Sequence, residues 1–226
     1  LVDQGHQVVL HARNEKRAND AKRKVPAAQN VLIGDLANAD EIRRLATHVN
    51  ASERFDVVIH NAGVYRTSTQ EILAVNTLAP YMLTCLIQRP KRLIYLSSGM
   101  HKHGEPSLEK IVEGEGISYS DSKLHMVILA KAIARKWPEV YANAVDPGWV
   151  PTKMDGAEAP DDLEKGFETQ LWLAVSNNKK AKVSGRYFYH KKEESYHPKA
   201  DDIAIQETFL ERCGKATDVS FPIDQE

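Results

Sequence analysis

Tyr119 and Lys123 are the residues whose types and spacing first suggest chemistry, and they open a helical pattern that runs to Trp137. Four residues of α-helix turn through about 400° and rise about 6 Å, so the two side chains share one face. A phenol has an ordinary pKa of about 10 and must fall by roughly 3 units, about 4 kcal/mol, to exchange protons near neutrality. One cation about 4 Å away, at an effective dielectric of about 20, supplies that amount. Lys123 beside Tyr119 therefore makes a general acid/base, provided that water is largely excluded. The spacing alone is common: Tyr187 also has a lysine four residues on, Lys191. Those two fall on a strand pattern, where four residues span about 13 Å, and cannot form the same pair. Taken alone, Tyr119 and Lys123 read equally well as an ordinary helix start with an exposed lysine.

The elements that must position such a pair alternate along the chain. Apolar runs at 7–12, 30–34, 55–60, 92–97, 140–145 and 186–190 read as strands, and 14–24, 39–50, 69–88, 119–137 and 161–176 read as helices. The runs lack polar alternation, which predicts strands covered on both faces. Repeated strand–helix–strand units predict a parallel sheet between layers of helix. Ligands bind such sheets at the carboxyl ends of the strands. That singles out Arg13, Asp35, Asn61-Ala62-Gly63, Ser97-Ser98 and Pro147-Gly148, all turn-forming, small or polar. Each alone reads as a turn or a strand-end cap.

The chain has 226 residues, 42% hydrophobic and 27% charged, which suits one globular domain with a large core over residues 1–226. Its 30 Lys and Arg against 31 Asp and Glu leave a net charge of −1. That balance gives no basic excess for nucleic acid and no attraction to anionic membranes. No apolar stretch approaches the roughly 20 residues of a spanning helix. Cys85 and Cys213 stand far apart, so a disulfide framework is not expected and a reducing, cytoplasmic setting is. Residues 177–182 and the tail 221–226 read as solvated surface.

The order of the pieces carries more than any one of them. Asp35-Leu36 is followed by Asn61-Ala62-Gly63, then Asn76 within Ala74-Val75-Asn76-Thr77-Leu78-Ala79-Pro80, then Ser97-Ser98. Tyr119 to Lys123 comes next, and then Asp146-Pro147-Gly148-Trp149-Val150-Pro151-Thr152. In this the chain resembles a short-chain dehydrogenase/reductase over nearly its whole length. The resemblance implies an α/β fold with a doubly wound, Rossmann-type parallel sheet in a single domain. It implies that Tyr119 exchanges a proton with the substrate oxygen, and that Lys123 lowers its pKa and binds the nicotinamide ribose. Ser98 would hold the substrate oxygen, and Asn76 would position a water that relays protons from Lys123. Asp35 and Leu36 would contact the adenine, and Asn61, Ala62 and Gly63 would form the cofactor floor. Pro147 and Gly148 would shape the next cofactor loop, with Val150 at the carboxamide and Thr152 at the carboxamide or phosphate. No metal site is implied. Substrates would be small carbonyls or secondary alcohols, and a homodimer or homotetramer would form through the helices at 69–88 and 119–137.

In dinucleotide-binding sheets an acid after the second strand binds the ribose 2′-hydroxyl of NAD. The corner here is His11-Ala12-Arg13-Asn14, without an acid. Arg13, helped by Arg17 one turn on, pairs instead with the 2′-phosphate of NADP, which makes NADP the preferred cofactor and NAD the alternative.

Two departures stand out. The family's glycine-rich turn is absent, and Leu1 to Gly5 reads as the end of the helix that would follow it. The expectation is an N-terminally truncated domain, its first strand lost from the centre of the sheet, with weak cofactor binding. The second departure is the insert Gly99 to Ser118, similar to that of retinol-dehydrogenase-like members. Residues 99–118 and 149–165 are read as substrate-side loops, with Trp149, Met154 and Leu163 as apolar walls. His101-Lys102-His103 lacks the acid or cysteine that would complete a metal site, so a solvated loop is expected there. The leading function is an NAD(P)-dependent oxidoreductase. The alternative is an impaired fragment or a non-catalytic dinucleotide sensor with the same fold.

Overall fold

The apolar runs fold as strands, and the bounds agree to within two residues at each end. β1 (Val9–Ala12) pairs in parallel with β2 (Asn30–Ile33). β3 (Val57–His60), β4 (Arg92–Leu96), β5 (Tyr141–Asp146) and β6 (Tyr187–Tyr189) form a second parallel array in that order. β7 (Lys192–Glu193) adds to β6 antiparallel and ends the sheet. The two arrays are not hydrogen-bonded to each other, so the parallel strands are divided between β1 and β3. The computed structural model describes residues 1–151, 159 and 161–222.

Helices cover both faces: α1 (Glu15–Lys24), α2 (Ala39–Asn50), α3 (Thr69–Leu73), α4 (Ala79–Leu86), α5 (Leu108–Glu113), α6 (Tyr119–Lys136), α7 (Leu163–Val175) and α8 (Ile203–Thr217). Neighbouring side chains of a strand point to opposite faces. Leu93 and Tyr95 of β4 join the large core with residues of α2, α4, α6 and α8, while Ile94 and Leu96 pack against Leu173 and Ala174 of α7. This two-sided burial is why the strand sequences show no polar alternation.

The helical pattern at 69–88 is one rod in three pieces. A π-turn, Ala74–Leu78, joins α3 to α4. Pro80 has no N–H to give the carbonyl four residues earlier, that of Asn76. The ladder shifts by one residue, and the Ala79 N–H donates to Ala74 O.

The structure corrects two expectations. The insert is not plain loop: Gly99–His103 forms a 3-10 turn, and α5 follows. α8 was not expected and packs on α6, with His125 against Phe209 at 5.2 Å and Arg135 bonded to Gln206 at 3.0 Å. Residues 121–130 of α6 are consequently all buried within one chain.

Two buried histidines contribute to the response of the fold to acid. His60 stacks on Tyr95, and His125 donates from Nε2 to Pro106 O at 2.7 Å while Nδ1 accepts from Thr77 at 3.0 Å. Burial pushes both pKa values down to about 4. The unfolded chain takes up these protons below pH of about 6.5 and the folded chain only near pH 4. Their contribution to stability should therefore be flat above pH 7 and fall between about pH 6.5 and 4. At pH 5.5 the loss comes to roughly 1 kcal/mol for each histidine. Denaturant midpoints at pH 7.5 and 5.5 test this, and an unchanged midpoint would contradict it.

Candidate active site

The helix that carries the tyrosine–lysine pair starts where the sequence demands. Ser118 caps α6 by accepting from the Asp121 N–H, and Asp121 answers by accepting from the Ser118 N–H, a reciprocal box. The same Asp121 carboxylate accepts from the Glu105 N–H at 2.8 Å, which pins the insert to the first turn of α6. Gly104 permits the approach, since a Cβ there would lie 2.4 Å from Ser120 O. The turn after Ser98 is thus pressed against the turn that bears Tyr119.

Lys123 is 4% exposed, and its Nζ lies 5.3 Å from the centre of the Tyr119 ring. It donates to Leu96 O at the end of β4 at 3.1 Å. Ser97 Oγ in turn donates to Lys123 O at 2.8 Å, so β4 and α6 are stitched in both directions. Burial lowers the Lys123 pKa to about 8, and the nearby Asp146 carboxylate opposes the fall. The ring of Tyr65 packs on that of Tyr119 at 4.6 Å. Of the serine pair, Ser97 is buried and bonded to the helix, whereas Ser98 is half-exposed at the start of the 3-10 turn.

Asn76 is buried beside this pair. Its Oδ1 accepts from the Val64 N–H at 2.8 Å, and its Nδ2 donates to Val64 O at 2.9 Å and to Ser122 Oγ at 3.1 Å. The side chain therefore locks the loop after β3 to α6. The sequence reading had given it only a water.

A second group of expected residues meets at a pocket of about 340 Å³. Arg13, Asp35, Leu36, Ala62 and Gly63 line it, together with His11, Ala12, Arg17, Val64 and Val75. His11 donates from Nε2 to Gly34 O at 2.8 Å, joining the ends of β1 and β2. Arg13 lies 3.8 Å from Glu71 of α3, an acid that the sequence reading did not connect with it. Asn61 is exposed and outside the pocket lining. Pro147, Gly148 and Val150 follow β5. Gly148 has φ +81°, its N–H donates to Asp146 Oδ1 at 2.9 Å, and a Cβ there would lie 2.6 Å from Asp161 Oδ2. Thr152 and Met154 lie outside the described residues.

Large apolar side chains are exposed on the segments after β4 and β5: Met100, Trp149, Leu163 and Phe167. Trp149 is tied to Asp161 by backbone and side-chain bonds of 3.0 and 2.6 Å, just before α7, which carries the last two. His101, expected in a solvated loop, is fully buried. An i, i+3 contact back to Ser98 was the signal available for it, hidden by the charged residues around it.

Fold and site together define a class: a doubly wound α/β protein with a buried lysine against a tyrosine and a basic-rimmed pocket, all at the carboxyl ends of parallel strands. A family model described as Enoyl-(Acyl carrier protein) reductase matches residues 1–183. An uncharacterized oxidoreductase of Emericella nidulans is 43% identical over 235 residues, covering 98% of this chain and 91% of the relative. A short-chain dehydrogenase of Gibberella zeae is 39% identical, covering 98% of this chain and 92% of its own length. The crystal structure of a blue fluorescent protein in complex with NADPH, from a metagenomic library, shares the fold at a TM-score of 0.68 and 16% identity, over 83% of this chain and 87% of that one. The chain belongs to the short-chain dehydrogenase/reductase family of oxidoreductases. No described helix is long and apolar enough to cross a membrane.

Proposed function

We propose that this protein reduces a carbonyl, or oxidises a secondary alcohol, of an apolar small molecule, with NADP as the preferred nicotinamide cofactor. The observation that carries the reading is the buried Lys123 ammonium beside the Tyr119 ring, at the strand ends that also carry Ser98. The pocket fits the adenosine end of a dinucleotide. Leu36 and Val75 offer apolar walls, Ala62 and Gly63 leave room for close approach, and Arg13 and Arg17 offer charge for a phosphate. When bound, the cofactor supplies the hydride.

The residues of the chain do the rest. Tyr119 gives its hydroxyl proton to the carbonyl oxygen as charge develops there, and takes it back in the reverse direction. Ser98 Oγ donates to the same oxygen and orients it. Lys123, held cationic in a dry site, stabilises the tyrosinate. Pro80 cannot bond the Asn76 carbonyl in the usual way, which leaves that carbonyl suited to hold a relay water. Met100, Trp149, Leu163 and Phe167, exposed on the segments after β4 and β5, would line an apolar mouth, which favours bulky apolar carbonyls over sugars.

A second reading, a dinucleotide binder without turnover, is favoured by one observation: the pocket draws its walls from two sheets that are not bonded to each other. Turnover of NADPH with a panel of aromatic and aliphatic ketones separates the two. Binding without turnover would support the second.

Cofactor choice has its own test. A charge-assisted bond contributes about 1.5–3 kcal/mol, so Arg13→Ala should weaken NADPH by about tenfold or more. NADH should bind as before, because it lacks the 2′-phosphate. Equal losses for the two cofactors in titration calorimetry would remove Arg13 from the phosphate site.

A further inference from the structure

His101 joins loops from three strand ends, and its two ring nitrogens define its state. Nδ1 lies 2.7 Å from Ser98 O, and Nε2 lies 3.2 Å from the backbone N of His197. A carbonyl can only accept and a backbone N–H can only donate. The proton is therefore on Nδ1, Nε2 is bare, and the ring is neutral. The ring also packs on Tyr187 of β6 at 4.5 Å. Tyr187 donates to Asp146 Oδ2 at 3.1 Å, and Asp146 at the end of β5 holds the Gly148 N–H through its other oxygen. One chain of contacts thus runs from the loop after β4 to the ends of β5 and β6, and on to the segment that begins the C-terminal 3-10 turn at Pro198–Asp201.

We propose that His101, as the neutral Nδ1–H tautomer, is a positioning residue: it fixes the turn at Ser98 and so sets the angle at which Ser98 Oγ meets the substrate oxygen. This rests on the reading of Ser98 as the group that holds that oxygen. Ser98 Oγ accepts only a long bond, 3.3 Å from the Met100 N–H, so the side chain is weakly held by its own turn. The short bond from His101 holds the Ser98 carbonyl, and through the shared Cα it limits where Oγ can point. Burial and the charges of Lys102 in its own turn and His197 opposite disfavour a second proton, which only the Ser98 carbonyl and Asp146 favour. A proton on Nε2 would aim a donor at the His197 N–H.

Two near-isosteres divide the two bonds. His101→Asn places an amide N–H close to the Nδ1 position and can still reach Ser98 O. His101→Gln places its amide at the Nε2 position and can serve only His197. His101→Gln should raise the KM for a ketone and lower kcat by about 10–100-fold, as loss of a supporting hydrogen bond behind a functional group does. Its affinity for NADPH should not change. His101→Asn should restore kcat to within about threefold of the unchanged protein, a rescue that loss of packing alone would not give. Ser98→Ala is measured beside them. If Ser98→Ala keeps full activity, the reading of Ser98 is wrong, and the proposal falls with it. If Ser98→Ala is impaired while both His101 variants match the unchanged protein, the function stands and this proposal alone is overturned. Ring ¹⁵N shifts of the unchanged protein give a readout that needs neither turnover nor a folded variant. They should report Nδ1-protonated, non-titrating His101 from about pH 6 to 8, the range around the ordinary histidine pKa. An Nε2–H pattern, or a titration inside that range, would overturn the proposal whatever the variants do.

Discussion

Tyr119→Phe is expected to lower kcat for ketone reduction by about 10²–10⁴-fold, the usual contribution of a positioned acid or base. The substitution removes one oxygen and keeps the ring, so its contact with Tyr65 at 4.6 Å survives. Lys123 keeps its bond to Leu96 O, and the capping box of Ser118 and Asp121 is untouched. NADPH affinity and melting temperature should accordingly stay close to those of the unchanged protein. That separation is the point of the measurement. A variant that folds and binds NADPH yet scarcely turns over supports proton transfer from the phenol. Residual activity within about tenfold would mean that another group, or water, supplies the proton, since that is less than the effect of a positioned acid.

Lys123→Met should act in opposite directions on activity and stability. The ammonium is buried, and its pKa stands at about 8 against the ordinary value of 10.5. The unfolded chain therefore holds this proton more tightly than the folded one. Below about pH 8 the folded state carries a buried charge at a cost of roughly 3 kcal/mol, and the cost fades as pH rises from 8 towards 10.5. Methionine fills similar space without the charge. It leaves the Leu96 carbonyl without its donor, which costs about 1–3 kcal/mol. The balance favours the variant by about 1 kcal/mol, or roughly 2–4 °C in melting temperature for a chain of this size. Activity should fall by about two orders of magnitude or more, because Lys123 is the cation proposed to stabilise the tyrosinate. In the unchanged protein the same titration predicts that activity declines above about pH 8, as Lys123 loses its proton and its hold on the tyrosinate. A variant that is both less stable and fully active would refute the two arms together.

Much of the frame was legible in the sequence because local patterns decide it. Strands buried on both faces read as largely apolar runs without polar alternation, as Arg92–Leu96 and Tyr141–Asp146 do apart from Arg92, Asn143 and Asp146. Asn14 and Asn38 cap α1 and α2 where the sequence places them. The two halves of the site were legible for a different reason: several ordinary turn residues occur in one order, although none of them is informative alone. α8 was missed because its apolar positions, among them Phe209, Leu210 and Cys213, are separated by charged residues and follow a stretch rich in lysine and glutamate.

What the sequence determined by itself was the succession of elements, the helical register that puts Tyr119 and Lys123 on one face, and the small and polar residues at the strand ends. Each of these follows from backbone periodicity and turn chemistry over a few residues. Burial and charge state were decided by tertiary structure alone. Lys123 is dry because Leu96, Ser97 and the covering helices close over it, and the bare Nε2 of His101 is set by the N–H of His197, which meets it from a distant part of the chain. The division of the sheet between β1 and β3, and the cover that α8 lays over α6, likewise depend on which long-range partners pair. Such pairings are fixed by contacts between residues far apart in sequence, and no local pattern records them.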